Sequence, residues 1–243
     1  MADLALNDSL IDEYLKYKFQ EDYTPDTIRK LFKYIQPFSI REGFFDDPSM
    51  VMPMESDPLI EIVDDCSDEE LVEGTVLKLM LVHSASFFDY RTLNINDNYE
   101  RLKPKYVGTY LNKMGKDKAL NHIKALLSDA NWVKIIDSYI DVNSSQWNEN
   151  KNILGYIIPL REVDLKIESG STRDRRQPIT KDKQNELNAI CSDWAIGAIQ
   201  YNDNLKHDRY IETGKLKILL SGGLYNLSTS SNKDFTYVVE IKS

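Results

Sequence analysis

Apolar positions recur at the spacing of one helix face through Leu10, Ile11, Tyr14, Leu15 and Phe19, behind Ser9 as N-cap, and predict a first helix. Thr24-Pro25 opens a second, carrying Ile28, Leu31, Phe32 and Ile35 and ended by Gln36-Pro37. From Asp46 to Asp68 the pattern lapses. Pro48, Pro53, Pro58 and the pair Asp64-Asp65 mark a crossing loop with room for an edge strand over residues 59–63. Ser67 and Glu70 then stand at capping-box spacing ahead of Leu71, Val72, Val76, Leu79, Met80, Val82, His83 and Phe87, predicting the most apolar helix of the chain. Pro104 predicts one more, through Tyr110 and Met114. Residues 1–115 therefore read as a mainly helical region, and Gly115-Lys116 as the boundary with a second domain, 116–243.

Past that boundary helix and strand signals alternate. A helix over 120–127 leads into Trp132 to Ile140, whose β-branched and aromatic content reads as a buried strand. A second strand follows at 153–160, then the apolar run 163–167, a charged loop over 171–183 and a helix over 183–200 carrying Leu187, Ile190, Cys191, Trp194 and Ile199. Strand signals at 206–212, 215–220 and 236–242 close the chain. Strands alternating with helices predict an α/β domain around a mostly parallel sheet.

Composition narrows the function classes. At 243 residues the chain is long enough to bury a core without disulfides, so Cys66 and Cys191, far apart and in no metal-binding spacing, read as idle thiols of a reducing cytoplasm. Residues 1–10 lack a basic segment, and no apolar run reaches the roughly 18 residues of a membrane span, so a cytoplasmic protein is expected. With 39 acidic against 30 basic residues the net charge is -9, which argues against sequence-independent polyanion binding and leaves room for a local basic site. Arg173, Arg175, Arg176, Lys181 and Lys183 are such a segment. His83 and His122, each in a predicted apolar helix, read as satisfied core or interface histidines.

The compact group of chemically capable residues is Lys206-His207-Asp208-Arg209-Tyr210, followed by the turn Ser221-Gly222-Gly223-Leu224-Tyr225-Asn226. On a strand His207 and Arg209 share a face. A phosphodiester needs that pair: the imidazole attacks phosphorus or relays a proton, and the guanidinium neutralises the non-bridging oxygens. The same residues would also serve as an ordinary ion-paired strand end.

Val133-Lys134-Ile135-Ile136-Asp137-Ser138-Tyr139-Ile140, then His207-Asp208-Arg209-Tyr210-Ile211, Gly214-Lys215-Leu216-Lys217-Ile218 and the Ser-Gly-Gly-Leu turn together resemble the phospholipase D superfamily. Within it they resemble the C-terminal phospholipase-D-like domain of MIT-domain-containing proteins, over about residues 116–243 only. The resemblance implies a phospholipase-D-like fold with two motif copies facing each other, the histidine of one attacking phosphorus and that of the other protonating the leaving group. Carried over, His207 takes the histidine place and Arg209 the lysine place; Ser221 and Asn226 lie near the family's G-S-x-N block without matching its spacing, and they, Asp137 and Tyr139 at the first strand's end, and Arg175 and Arg176 of the basic segment are the expected substrate contacts. Gly214 stands where the family has aspartate, with Glu212 two residues earlier, and the chain holds one copy of the motif, so a complete site implies a homodimer. The implied activity is metal-independent, nuclease-type phosphodiester cleavage with no cofactor, alone or inside a larger complex docked through residues 1–115, by analogy an antiviral defence system. The resemblance equally implies a non-catalytic adaptor that reads a phospholipid headgroup or nucleic-acid phosphate.

One further pattern, Asp234 with Glu240 and Lys242, has the E-x-K of metal-dependent nucleases. On one strand the two acids would stand roughly 20 Å apart, too far to share an ion. It reads as an edge-strand charge pair.

Overall fold

The computed structural model describes residues 1–34, 37–45, 54–83, 91–96, 105–110, 115–173, 175–201 and 209–242, and of 105–110 only the strand. His207, with Lys206 and Asp208, lies outside the described residues, as do Phe87, Pro104 and Met114. The chain divides into two compact units, Met1–Lys105 and Tyr106–Ser243.

The first unit is built on a sheet that the hydropathy pattern did not announce. Its strands β1 (Leu4–Leu6), β2 (Phe38–Arg41), β3 (Ile60–Val63), β4 (Met80–Val82) and β5 (Thr92–Asn94) lie in the order β3-β2-β1-β4-β5. Every neighbouring pair is parallel. Helix α1 (Asp8–Lys18) follows β1 and buries Leu10, Ile11, Tyr14 and Leu15; its cap is Asn7, two residues earlier than the expected Ser9, and the Asn7 side chain accepts from Leu10 N. Pro25 opens α2 (Pro25–Leu31), and β3 is an edge strand, both as the sequence predicts. The capping box also forms, opening α3 (Asp68–Glu73).

The long helix expected beyond it does not. Gly74 caps α3, and Met80, Leu81 and Val82 become β4, paired on one side with β1 and on the other with β5. A parallel strand covered on both faces shows a continuous apolar run rather than alternation, so hydropathy alone does not tell it from a buried helix. Ala5, Leu71, Val72, Met80 and Val82 form one core cluster there, so these apolar positions are buried within the unit. His83, at the exposed end of β4, is no core residue; its Nε2 lies 3.4 Å from Thr27 Oγ1. A mainly helical N-terminal region is thus corrected to a mixed parallel α/β unit.

The second unit carries a seven-stranded sheet in the order β6-β12-β11-β10-β7-β8-β9. Strand β6 (Lys105–Tyr110) stands where a helix was expected from Pro104. Helix α4 (Lys116–Leu127) precedes β7 (Trp132–Ile136), which ends earlier than predicted because Asp137 turns the chain. Helix α5 (Ser144–Ile157) replaces the predicted strand at 153–160: Trp147, Asn150, Ile153, Leu154 and Ile157 bury one helical face. Strand β8 (Val163–Ser169) follows. The helix expected over 183–200 splits into α6 (Lys181–Asn188) and β9 (Trp194–Gln200). The last strands, β10 (Arg209–Glu212), β11 (Leu216–Leu220) and β12 (Phe235–Ile241), agree with prediction.

The sheet is mixed rather than mostly parallel. β7, β8 and β9 run parallel through the crossovers of α5 and α6, whereas β10 pairs antiparallel with both β7 and β11, and β11 with β12. That arrangement brings the carboxyl ends of β7, β8 and β11 and the amino end of β10 to one edge of the unit. His122 is a satisfied core histidine as expected, its Nδ1 2.6 Å from the Tyr237 hydroxyl in the packing of α4 on β12.

Candidate functional site

At that edge the register places Arg209 opposite Leu220 on β11 and Tyr210 opposite Ile136 on β7. The residues just past β7 and β11 therefore converge on Arg209. They enclose a cavity of about 330 Å³ lined by Tyr139, Val142, Arg209, Gly222, Gly223, Tyr225, Asn226, Gln146 and Lys233. Carboxyl ends of strands are where open α/β sheets take ligands.

Asp137 organises the floor. It is 1% exposed, and its two oxygens accept from Tyr139 N at 2.9 Å, Leu224 N at 3.0 Å and Arg209 Nε at 3.3 Å. One carboxylate thus fixes the turn after β7, the turn after β11 and the arginine between them. Burial holds its carboxyl above the ordinary carboxylate range despite those donors, because desolvation of the charge outweighs them. The Arg209 side chain keeps 28% of its surface exposed and reaches the cavity with its charge.

The other walls supply donors and aromatic rings. Asn226 is 7% exposed, and its buried Oδ1 has no partner. A Cβ on Gly222 would stand 2.2 Å from Asn226 Nδ2, so the glycine is what lets this amide sit against the turn. Lys233 Nζ donates to the Tyr225 hydroxyl at 2.9 Å, which anchors a second cation on the same cavity. Tyr139 is 42% exposed, its carbonyl accepting from Gln146 Nε2, and Arg209 Cζ lies 5.4 Å from its ring centre.

The structure brings together Asp137, Tyr139, Arg209 and Asn226 of the residues singled out by sequence. Ser221 is turned elsewhere: its Oγ accepts from Thr236 N and its own N donates to Thr236 O, so it ties β11 to β12 and does not line the cavity. Arg175 is exposed and outside the cavity wall, and Arg176 stands behind Tyr139. Sequence reasoning missed Lys233, Tyr225 and Gln146. Tyr225 sits inside the glycine turn already noted, but Lys233 and Gln146 arrive from distant segments with no local signal. Among the described residues no group of three or more His, Cys, Asp or Glu side chains is placed to hold a metal ion, and no helix is long and apolar enough to cross a membrane.

No protein-family model and no curated protein matches this chain. Ten chains of solved structures do. TrmBL2, an archaeal chromatin protein with a novel mode of DNA binding, is similar at 11% identity and a TM-score of 0.27, over 56% of this chain and 45% of that one. NucT from Helicobacter pylori is similar at 12% identity and a TM-score of 0.30, over 56% of this chain and 84% of that one. The polyphosphate kinase of Porphyromonas gingivalis is similar at 13% identity and a TM-score of 0.33, over 58% of this chain and 21% of that one. The match spans under half of the chromatin protein and about a fifth of the kinase. Likenesses of this size assign the chain neither family nor activity.

Proposed function

We propose that the second unit is a phospholipase-D-like module that receives a phosphodiester in the Arg209 cavity and cleaves it without a metal, as a nuclease, with His207 of one protomer as nucleophile and His207 of its partner protonating the leaving group. The observation that carries this reading is Arg209 itself. A guanidinium at the strand edge, oriented from beneath by buried Asp137, faces a cavity that Lys233 also lines. In a chain of net charge -9, two cations on one cavity make an anion site by position, not by composition. A phosphodiester oxygen there meets a planar fork suited to bidentate contact and the amide of Asn226. The second motif copy that cleavage requires comes, in this reading, from a homodimer.

A second reading, a non-catalytic phosphate reader, is favoured by one specific feature. Gly214, at the place of the family's aspartate, sits in the β10–β11 turn with nothing within 4 Å of where a side chain would begin, at the end of β10 away from Arg209. Arginine in the lysine place also does not exchange a proton near neutral pH.

Cleavage of single- and double-stranded DNA and RNA in EDTA, by the wild type and by His207→Ala and Arg209→Ala, separates the two. EDTA-resistant cutting abolished by His207→Ala establishes the nuclease. Absence of cutting, with binding that survives His207→Ala and falls with Arg209→Ala, establishes the reader. Sedimentation of the same samples tests the dimer.

A further inference from the structure

We infer that the site holds two successive phosphates of one single-stranded nucleic acid, the first at Arg209 and the second at Arg176, beside the Tyr139 ring that both arginines approach. This rests on the phosphodiester reading of the Arg209 cavity and adds a second position to it.

Both guanidiniums pack on the same ring. Arg176 Cζ lies 4.3 Å and Arg209 Cζ 5.4 Å from the Tyr139 centroid, so both charges are held against one ring. Arg176 is placed as firmly as Arg209. Its Nη1 donates to Ser138 O at 2.9 Å and its carbonyl accepts from Gln200 Nε2 at 3.1 Å, tying it to the chain after β7 and to the end of β9. Its backbone closes a tight loop through paired bonds with Ser171, both 2.9 Å.

That loop is built at a conformational cost. Gly170 has φ +77°, and a Cβ there would stand 2.6 Å from Arg176 O; Arg175 holds a left-handed φ of 57° with a full side chain. Strained backbone persists where its surroundings over-determine it, and functional sites are where such strain collects. Here its effect is to set Arg176 on Tyr139, with exposed Arg173 and Arg175 preceding it in sequence. Arg209 and Arg176 thus offer two cationic positions beside one ring. A single headgroup phosphate fills one of these positions, whereas a nucleic-acid strand presents one charge per nucleotide. The part of Tyr139 left exposed beside the two arginines gives an unpaired base a surface to stack on, which the paired bases of a duplex do not reach.

The test compares, on the full chain, a fluorescent single-stranded oligonucleotide with a dinucleoside monophosphate, which carries one diester. Arg176→Gln removes the charge and keeps a donor for Ser138 O. It is expected to weaken oligonucleotide binding and to lower the slope of log K against log salt by about 0.7, while leaving dinucleoside affinity unchanged. Arg175→Ala, on an exposed side chain that folding does not need, is expected to weaken the oligonucleotide alone. Arg209→Ala is expected to weaken both ligands. An unchanged salt slope in Arg176→Gln, or an equal loss on both ligands, overturns the second phosphate position. Tighter binding to vesicles bearing a bisphosphorylated headgroup than to the oligonucleotide overturns the nucleic-acid assignment. Indifference of both ligands to Arg209→Ala instead overturns the underlying cavity reading, a result distinct from either.

Discussion

Asp137 couples three chain segments through one buried carboxylate, and its removal separates their effects. Asp137→Ala leaves the amides of Leu224 and Tyr139 without their acceptor and Arg209 without its counter-ion. Breaking a buried ion pair is costly, but Arg209 is partly exposed and can turn to water, so the expected loss is about 2–3 kcal/mol in urea unfolding. Phosphodiester affinity should fall along with stability, because the arginine loses its orientation. Asp3, in the first unit, gives a pH-dependent counterpart. Burial pushes its carboxyl up from 3.8 to about 6, with the N-terminal ammonium opposing. The folded chain then holds this proton more tightly than the unfolded chain. The stability it contributes is full below about pH 4 and is lost as pH rises through about 6. After allowance for solvent screening the effect is about 1 kcal/mol. Asp3→Asn should raise the melting temperature at pH 7 and flatten the stability profile between pH 4 and 6, and carbon NMR of Asp3 should show a midpoint near 6.

At the scale of elements, local signals with a short reach were legible and signals that depend on packing were not. The capping box is of the first kind: Ser67 Oγ accepts from Glu70 N and the Glu70 carboxylate accepts from Ser67 N, all within four residues. Ser67→Ala should cost about 1 kcal/mol in the first unit, read by denaturant unfolding. Strand β4 and helix α5 are of the second kind. Met80-Leu81-Val82 is a strand because β1 and β5 flank it, and 153–157 is helical because Trp147 and Asn150 extend the same buried face. Neither neighbour is visible from inside the segment. Asn150 Nδ2 donates to Ile140 O, so even the end of the β7 turn is fixed by a helix that the apolar run at 153–160 concealed.

For the molecule as a whole, each of the two units has its own sheet, and every wall of the cavity comes from the second. A fragment of residues 105–243, which keeps β6 with its sheet, should melt cooperatively by circular dichroism and bind a dinucleoside monophosphate with the affinity of the full chain. A fragment that fails to fold would mean that the first unit supports the cavity energetically.

Beyond singling out Asp137, Tyr139, Arg209 and Asn226 through one chemically capable strand end and a family resemblance, the sequence by itself determined the helix starts at Pro25 and Asp68, the edge strand β3 and the closing strands β10 to β12. These follow from caps, glycine turns and period-two runs, whose physics is complete within a few residues. Tertiary structure alone decided that the first unit is a parallel sheet, that Ser221 belongs to the β11–β12 ladder, and that Lys233, Gln146 and Tyr225 join Arg209. Register and crossover bring those residues together from segments up to almost 90 positions apart, as with Asp137 and Leu224. Proximity of that kind arises from how strands pair, and no local run of side chains encodes it.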